Sequence, residues 1–143
     1  MLVSQILKTK PAGVITIAPE ATVAEAAALL SEKRIGAIIV SSDGKTALGI
    51  LSERDIVREL GRTGVTCLSA KVTELMTSKL VSCTSGDLNM DILKTMTDGR
   101  FRHMPVIENG EMLAIITLGD VVKARLQELS AEKDALEGMI MGH

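Results

Sequence analysis

Two stretches of the chain place a hydroxyl three residues ahead of a carboxylate: Ser52-Glu53-Arg54-Asp55 and Thr117-Leu118-Gly119-Asp120. Two kinds of chemistry use that spacing. At a helix start, hydroxyl and carboxylate satisfy each other's backbone amides as a capping box, which needs no ligand. Equally, a carboxylate can accept from two vicinal hydroxyls at once, while the amides and positive dipole of the helix end attract an anion. The readings are compatible, because a capped helix end is still an anion site. Arg54 adds a possible anion partner to the first stretch, and Gly119 removes it from the second. Conversely, Arg102-His103 stands where the first half has Gly36-Ala37. A guanidinium can fork onto an anion, and an imidazole titrates near neutrality. The plainer alternative is a solvated Arg102 and a His103 packed at a strand edge.

Other chemistry finds little support. Neither His103 nor His143 has a sequence neighbour that suggests a nucleophile or a metal cage. The chain has no Gly-x-Gly-x-x-Gly and no Walker-type phosphate loop. We therefore expect no enzymatic activity and no required cofactor. Cys67 and Cys83 lack CxxC or Cys/His ligand spacing and read as reduced structural residues.

Composition narrows the partners. The 143 residues carry 16 Lys+Arg against 18 Asp+Glu, a formal net charge of −2, and include 46% hydrophobic but 1% aromatic residues. Phe101 is the one benzenoid ring, so the core must be aliphatic and methionine. Near-neutral charge and missing aromatics argue against nucleic acid, whether held by counterion release or by base stacking. No apolar run approaches the ~18 residues that span a bilayer. Lys8 and Lys10 follow the apolar start, the reverse of a signal peptide, so the expectation is a cytoplasmic protein.

The elements that must position these residues come from an internal repeat. The second half overlays the first at offsets of 69, 66 and 65: Val3 to Leu7 on Val72 to Met76, Arg34 to Val40 on Arg100 to Val106, and Gly49 to Asp55 on Ala114 to Asp120. The first copy carries three extra residues around Lys10 to Gly13. Within each copy the pattern predicts a strand, a helix, a hairpin and a second helix. The first strand covers 14–17. Thr22-x-x-Glu25 caps a helix whose buried face is Val23, Ala26, Ala27 and Leu30. Hairpins are expected at 37–41 with 48–51 and at 103–107 with 112–116, turning at Asp43-Gly44 and Asn109-Gly110. Ser52 and Thr117 open the second helices. Boundaries follow as 1–62 for the first repeat, 63–71 for a linker, 72–125 for the second repeat and 126–143 for a C-terminal helical tail. In that tail Val122, Leu126, Leu129, Leu136 and Ile140 form a stripe with Lys133 at the missing heptad position. It suits either a seam to a second subunit or packing on the chain's own body.

The duplicated unit resembles the tandem pair of cystathionine-beta-synthase (CBS) domains, and most closely the small stand-alone bacterial CBS pairs. The anchors are Gly49 to Asp55 and Ala114 to Asp120, matching the family pattern of glycine, apolar, any, Ser/Thr, two of any, then Asp/Asn. The resemblance covers about residues 1 to 125. It implies an α/β (α+β) fold of two pseudo-twofold-related repeats packed as one disc, with a C-terminal helix added.

It further implies an adenine nucleotide, AMP, ADP, ATP or NAD(H), in a cleft between the repeats. Asp55 and Asp120 would accept from ribose hydroxyls, and Ser52 and Thr117 would contact ribose or phosphate. Arg54, Arg102 and His103 would serve the phosphate side, with Ile15 and Val81 lining the adenine. Gly49, lacking a Cβ, would let a ligand approach the strand, where Ala114 adds a methyl. The expected protein is a regulatory sensor of energy or redox state, a homodimer signalling to a partner protein. Two alternatives stay open: a ligand-free adaptor whose motifs are only caps, and a binder of S-adenosylmethionine.

Overall fold

A computed structural model describes residues 1–11 and 13–141; His143, named above for its imidazole, lies outside them. The elements run α1 (Val3–Leu7), β1 (Thr16–Ile17), α2 (Val23–Lys33), β2 (Ala37–Val40), β3 (Gly49–Ser52), α3 (Glu53–Thr63), a 3-10 turn (Gly64–Ser69), α4 (Val72–Leu75), α5 (Asn89–Gly99), β4 (His103–Glu108), β5 (Glu111–Thr117) and α6 (Leu118–Ile140). Helices and small sheets mix as an α+β fold, as the sequence predicts.

Packing divides the chain into two compact units. One contains the described residues of 13–81 and 107–113, the other those of 1–12, 82–106 and 114–143. We call them the first-copy and second-copy units. Their edges differ from those of the sequence repeat. Val3 and Ile6 of α1 are buried in the second-copy core. Of their repeat counterparts on α4, Val72 is buried in the first-copy core and Leu75 packs against it. The segment 63–71, expected as a linker, belongs to the first-copy unit: Cys67 is buried, the Val23 N–H donates to the Ala70 carbonyl, and the Val72 N–H donates to the Ala21 carbonyl. Each copy's opening helix is short, and burying its apolar face decides which unit it joins.

In the first-copy unit, β1 pairs parallel with β2, and β2 pairs antiparallel with β3, Ala37 opposite Ser52 and Val40 opposite Gly49. Every residue of β2 is buried, which explains its unbroken apolar run. Thr22 caps α2 as expected: the Glu25 N–H donates to the Thr22 hydroxyl at 3.2 Å and the Thr22 N–H to the Glu25 carboxylate at 3.4 Å. Val23, Ala26 and Leu30 are buried, with Ala27 packed beside them. The predicted strand 14–17 shortens to Thr16–Ile17, because the ladder reaches Ile15 only through its carbonyl, 3.4 Å from the Ile39 N–H.

The two hairpins differ. Asn109 (φ 52°) and Gly110 (φ 77°) are both left-handed and join β4 to β5 in the expected two-residue turn. The Asp43-Gly44 loop is longer than expected. Its carboxylate accepts from the Lys45 and Thr46 amides, each at 2.8 Å, and from the Ser41 hydroxyl at 3.1 Å. Asp43 thus organises a side-chain-braced loop rather than a tight turn.

The second-copy unit buries Val3, Ile6, Cys83, Ile92, Met96, Met104, Val106, Ala114, Ile116, Val121 and Ala124. Here the first strand shrinks to one parallel bridge between Cys83 and Val106. The expected boundary at 126 falls inside α6, which is continuous over 23 residues. Its inward residues are Val121 and Ala124; Leu126, Leu129, Leu136 and Ile140 are 62%, 43%, 59% and 85% exposed. The stripe is therefore not packed into the second-copy core.

Candidate functional site

Each motif lies where a strand hands over to a helix. In the first-copy unit Ser52 ends β3 and caps α3. Its N–H donates to Asp55 Oδ2 at 2.9 Å, its hydroxyl donates to the same oxygen at 3.0 Å, and the Asp55 N–H donates to Ser52 Oγ at 3.3 Å. In the second-copy unit the Thr117 N–H donates to Asp120 Oδ2 at 2.9 Å and the Asp120 N–H to Thr117 Oγ1 at 3.1 Å. Both motifs are thus complete capping boxes. In both, the cap engages Oδ2, and Oδ1 takes no part in it.

A second repeated bond ties each helix start to the hairpin strand before it. The Glu53 N–H donates to the Gly36 carbonyl at 2.9 Å, and the Leu118 N–H donates to the Arg102 carbonyl at 2.9 Å. This second bond sets the Arg102 backbone against the start of α6, and the Arg102 side chain is exposed. Two of the first three helix amides are thus already engaged in each copy. The amides of Arg54 and Gly119 lie outside the caps, so an anion would meet a smaller donor set than an open helix end presents.

The surroundings of the two carboxylates differ. Beside Asp55, 20% exposed, the Arg58 guanidinium stands 3.6 Å from the carboxylate. Asp55 also opens onto a groove of about 470 Å³ lined in part by Arg58, Glu59, Arg62, Thr66 and Cys67. Asp120 has an ammonium partner that sequence reading missed. Lys10 Nζ donates to Asp120 Oδ2 at 2.6 Å and to the Ile115 carbonyl at 2.7 Å. Burial pushes the Asp120 carboxyl up, but the Lys10 ammonium and the Thr117 amide outweigh it and hold the group below its ordinary value. The available signal was the insertion itself, since the three residues that the second copy lacks fall around Lys10 to Gly13.

The remaining predicted residues are more scattered. Arg54 is exposed on the first turn of α3, and His103 is half-buried at the start of β4. Ile15, 36% exposed, offers its carbonyl to β2, and Val81, 48% exposed, lies in irregular chain after α4. Gly49 requires a correction. A Cβ there would meet Met76 Sδ at 2.5 Å and the Thr77 carbonyl oxygen at 2.9 Å. Protein atoms rather than a ligand occupy that space, and Ala114 is a buried core residue. Among the described residues no group of His, Cys, Asp and Glu could hold a metal, and no helix is long and apolar enough to cross a membrane.

Comparison with known proteins agrees with this duplicated geometry. The CBS domain family model matches residues 3–62 and again 72–127. The mitochondrial CBS domain-containing protein CBSX3 of Arabidopsis thaliana is 34% identical over 125 residues, which are 85% of this chain and 61% of that protein. The chain thus spans less than two thirds of that relative's length. The crystal structure of the CBS-domain containing protein ATU1752 from Agrobacterium tumefaciens is similar with a TM-score of 0.84 and 39% identity, covering 87% of this chain and 99% of that one. The structure of CBSX2 in complex with AMP is similar with a TM-score of 0.72 and 26% identity, covering 88% and 96%. Two family matches, each containing a strand-to-helix corner capped by Ser/Thr-x-x-Asp, mean that the chain belongs to the CBS domain family.

Proposed function

We propose that the chain is a regulatory, non-catalytic module that binds an adenine nucleotide, AMP, ADP, ATP or NAD(H), at its Ser/Thr-x-x-Asp motifs and passes the bound state to a partner protein. The observation that carries this reading is the doubled carboxylate. Asp55 and Asp120 occupy the same corner in the two copies, each with Oδ1 outside its cap. A carboxylate oxygen so placed accepts from ribose hydroxyls without opening the helix end. The AMP bound to CBSX2 supports the ligand class.

In this reading Ser52 and Thr117 contact ribose or phosphate, Arg54, Arg102 and His103 serve the phosphate, and Ile15 and Val81 face the adenine. The nucleotide acts as a signal of energy or redox state, and it shifts the module only by its differential affinity for two conformations. No cofactor is required. Two free, buried thiols suit the reducing cytoplasm. The working assembly is a homodimer joined through α6.

The test is a thermal-shift titration of nucleotide-stripped protein with AMP, ADP, ATP, NAD, NADH and S-adenosylmethionine, repeated on Asp55→Ala and Asp120→Ala. A Tm that rises with ligand and loses that rise in either variant supports the sensor. The second reading, a ligand-free adaptor, is favoured by the fact that both caps close on the chain's own atoms. It expects no shift with any compound and a loss of about 1 kcal/mol in each variant, as for a lost cap.

A further inference from the structure

We propose that Lys10 is the residue that sets ligand choice at the second-copy motif, making it select phosphate-bearing adenosyl ligands over neutral or cationic ones. The inference rests on the nucleotide reading above and adds a residue and a preference that the Ser/Thr-x-x-Asp motif does not contain. Its basis is the pairing of Lys10 Nζ with both Asp120 Oδ2 and the Ile115 carbonyl, at 2.6 and 2.7 Å. The two side chains are 22% and 25% exposed.

An ammonium has three donors and no acceptor, and two of its three hydrogens are spent here. Ribose hydroxyls that donate to Asp120 Oδ1 draw on the same carboxylate charge and so weaken the bond from Lys10 to Oδ2. Weakening it strands a partly desolvated charge, which costs more than a neutral hydrogen bond returns. Adenosine offers the displaced ammonium nothing. The sulfonium of S-adenosylmethionine adds a second positive charge. A nucleotide phosphate, by contrast, receives the ammonium, so the charge stays paired while Oδ1 takes the ribose and Oδ2 keeps its cap. Thus one side chain converts a diol acceptor into a site for a diol joined to an anion. Among the described residues Asp55 has no lysine partner of this kind. Its cation, Arg58, is 76% exposed and can remain solvated whatever binds.

The experiment is calorimetric titration of AMP and of adenosine into four full-length chains: wild type, Asp55→Ala, Asp55→Ala with Lys10→Met, and Asp55→Ala with Lys10→Arg. The Asp55 change leaves the second-copy motif as the site observed, and the Tm of each chain checks that it is folded. The expected result is AMP tighter than adenosine by at least about tenfold in Asp55→Ala, the scale of one charge-assisted contact. Adding Lys10→Met should weaken AMP and also tighten adenosine, bringing the ratio below about threefold, while Lys10→Arg keeps the preference. An unchanged ratio in a folded Lys10→Met chain overturns the assignment. So does binding of AMP to wild type that vanishes altogether in Asp55→Ala, because the second motif would then take no nucleotide. No binding of either compound to any chain, wild type included, overturns the nucleotide reading itself.

Discussion

Lys10 and Asp120 are 110 positions apart in the chain and 2.6 Å apart in space. The pairing makes two motifs of nearly the same sequence electrostatically unlike. Asp120 faces a half-buried ammonium, whereas Asp55 faces a guanidinium on the exposed side of its own helix. An asymmetry of this kind lets one duplicated unit hold two ligand preferences, or a ligand in one copy alone.

The same pair predicts a pH dependence of stability. The Asp120 carboxyl is held below its ordinary value of 3.8, so its folded form binds a proton less readily than the unfolded chain does. Its contribution is therefore present above that ordinary value and is lost as the pH falls through the lower, folded one. Lys10→Met should lower the urea midpoint at neutral pH, and the gap from wild type should close as the pH drops below 3.8. Urea unfolding of both chains across that range measures it. A gap that persists unchanged in acid would mean that Lys10 stabilises by packing instead.

Gly49 gives a prediction separate from ligand. Its missing Cβ leaves room for the Met76 side chain and for Thr77, whose N–H and carbonyl both bond Ile50. Gly49→Ala should force Met76 or the Thr77 backbone to move, at a cost of about 1–3 kcal/mol, the range for an overpacked site. Chemical denaturation reads it directly. A neutral result would mean that the segment after α4 shifts freely.

Asn89 is fully buried, and its side-chain amide donates to the Val121 carbonyl at 3.2 Å and to Glu128 Oε1 at 3.3 Å. It thereby fastens α5 to the first turns of α6. Asn89→Asp turns the donor into a carboxylate facing a carbonyl and another carboxylate. We expect a loss of about 2 kcal/mol or more at neutral pH, partly recovered in acid as the new carboxyl protonates. Denaturation at two pH values tests both parts.

The exposed stripe of α6 predicts the assembly. Two copies laid antiparallel set Leu126 against Leu136 of the second copy and bring Lys123 beside Glu137. A parallel pairing would instead bring Glu132 towards Glu137, like charge against like. The stripe beyond Leu126, at Leu129, Leu136 and Ile140, also lies past residue 127, where the family match ends. Light scattering should find a dimer, and Leu126→Glu with Leu136→Glu should give a folded monomer. A dimer that survives both substitutions would exclude α6 as the seam.

Local chemistry was legible because it acts over three or four residues. The capping boxes at Thr22, Ser52 and Thr117 and the Asn109-Gly110 turn depend on neighbours along the chain, and the structure places them as the sequence predicts. The duplication, and with it the family, was legible for a related reason: a repeated unit leaves the same spacing of apolar and polar residues twice. Asp43 escaped, because its carboxylate bonds the loop amides in place of a tight turn.

Packing across the chain decided the rest. Nothing near Lys10 in the sequence points to Asp120, and nothing near Gly49 points to Met76, since both contacts exist only once distant elements are folded together. The same holds for α1 and α4, each too short to stand alone and each assigned to a unit by the core that buries it. On α6, one apolar set had to face inward and another outward. Sequence alone established that such sets exist; burial of Val121 and Ala124 against the second-copy core settled which one stayed exposed.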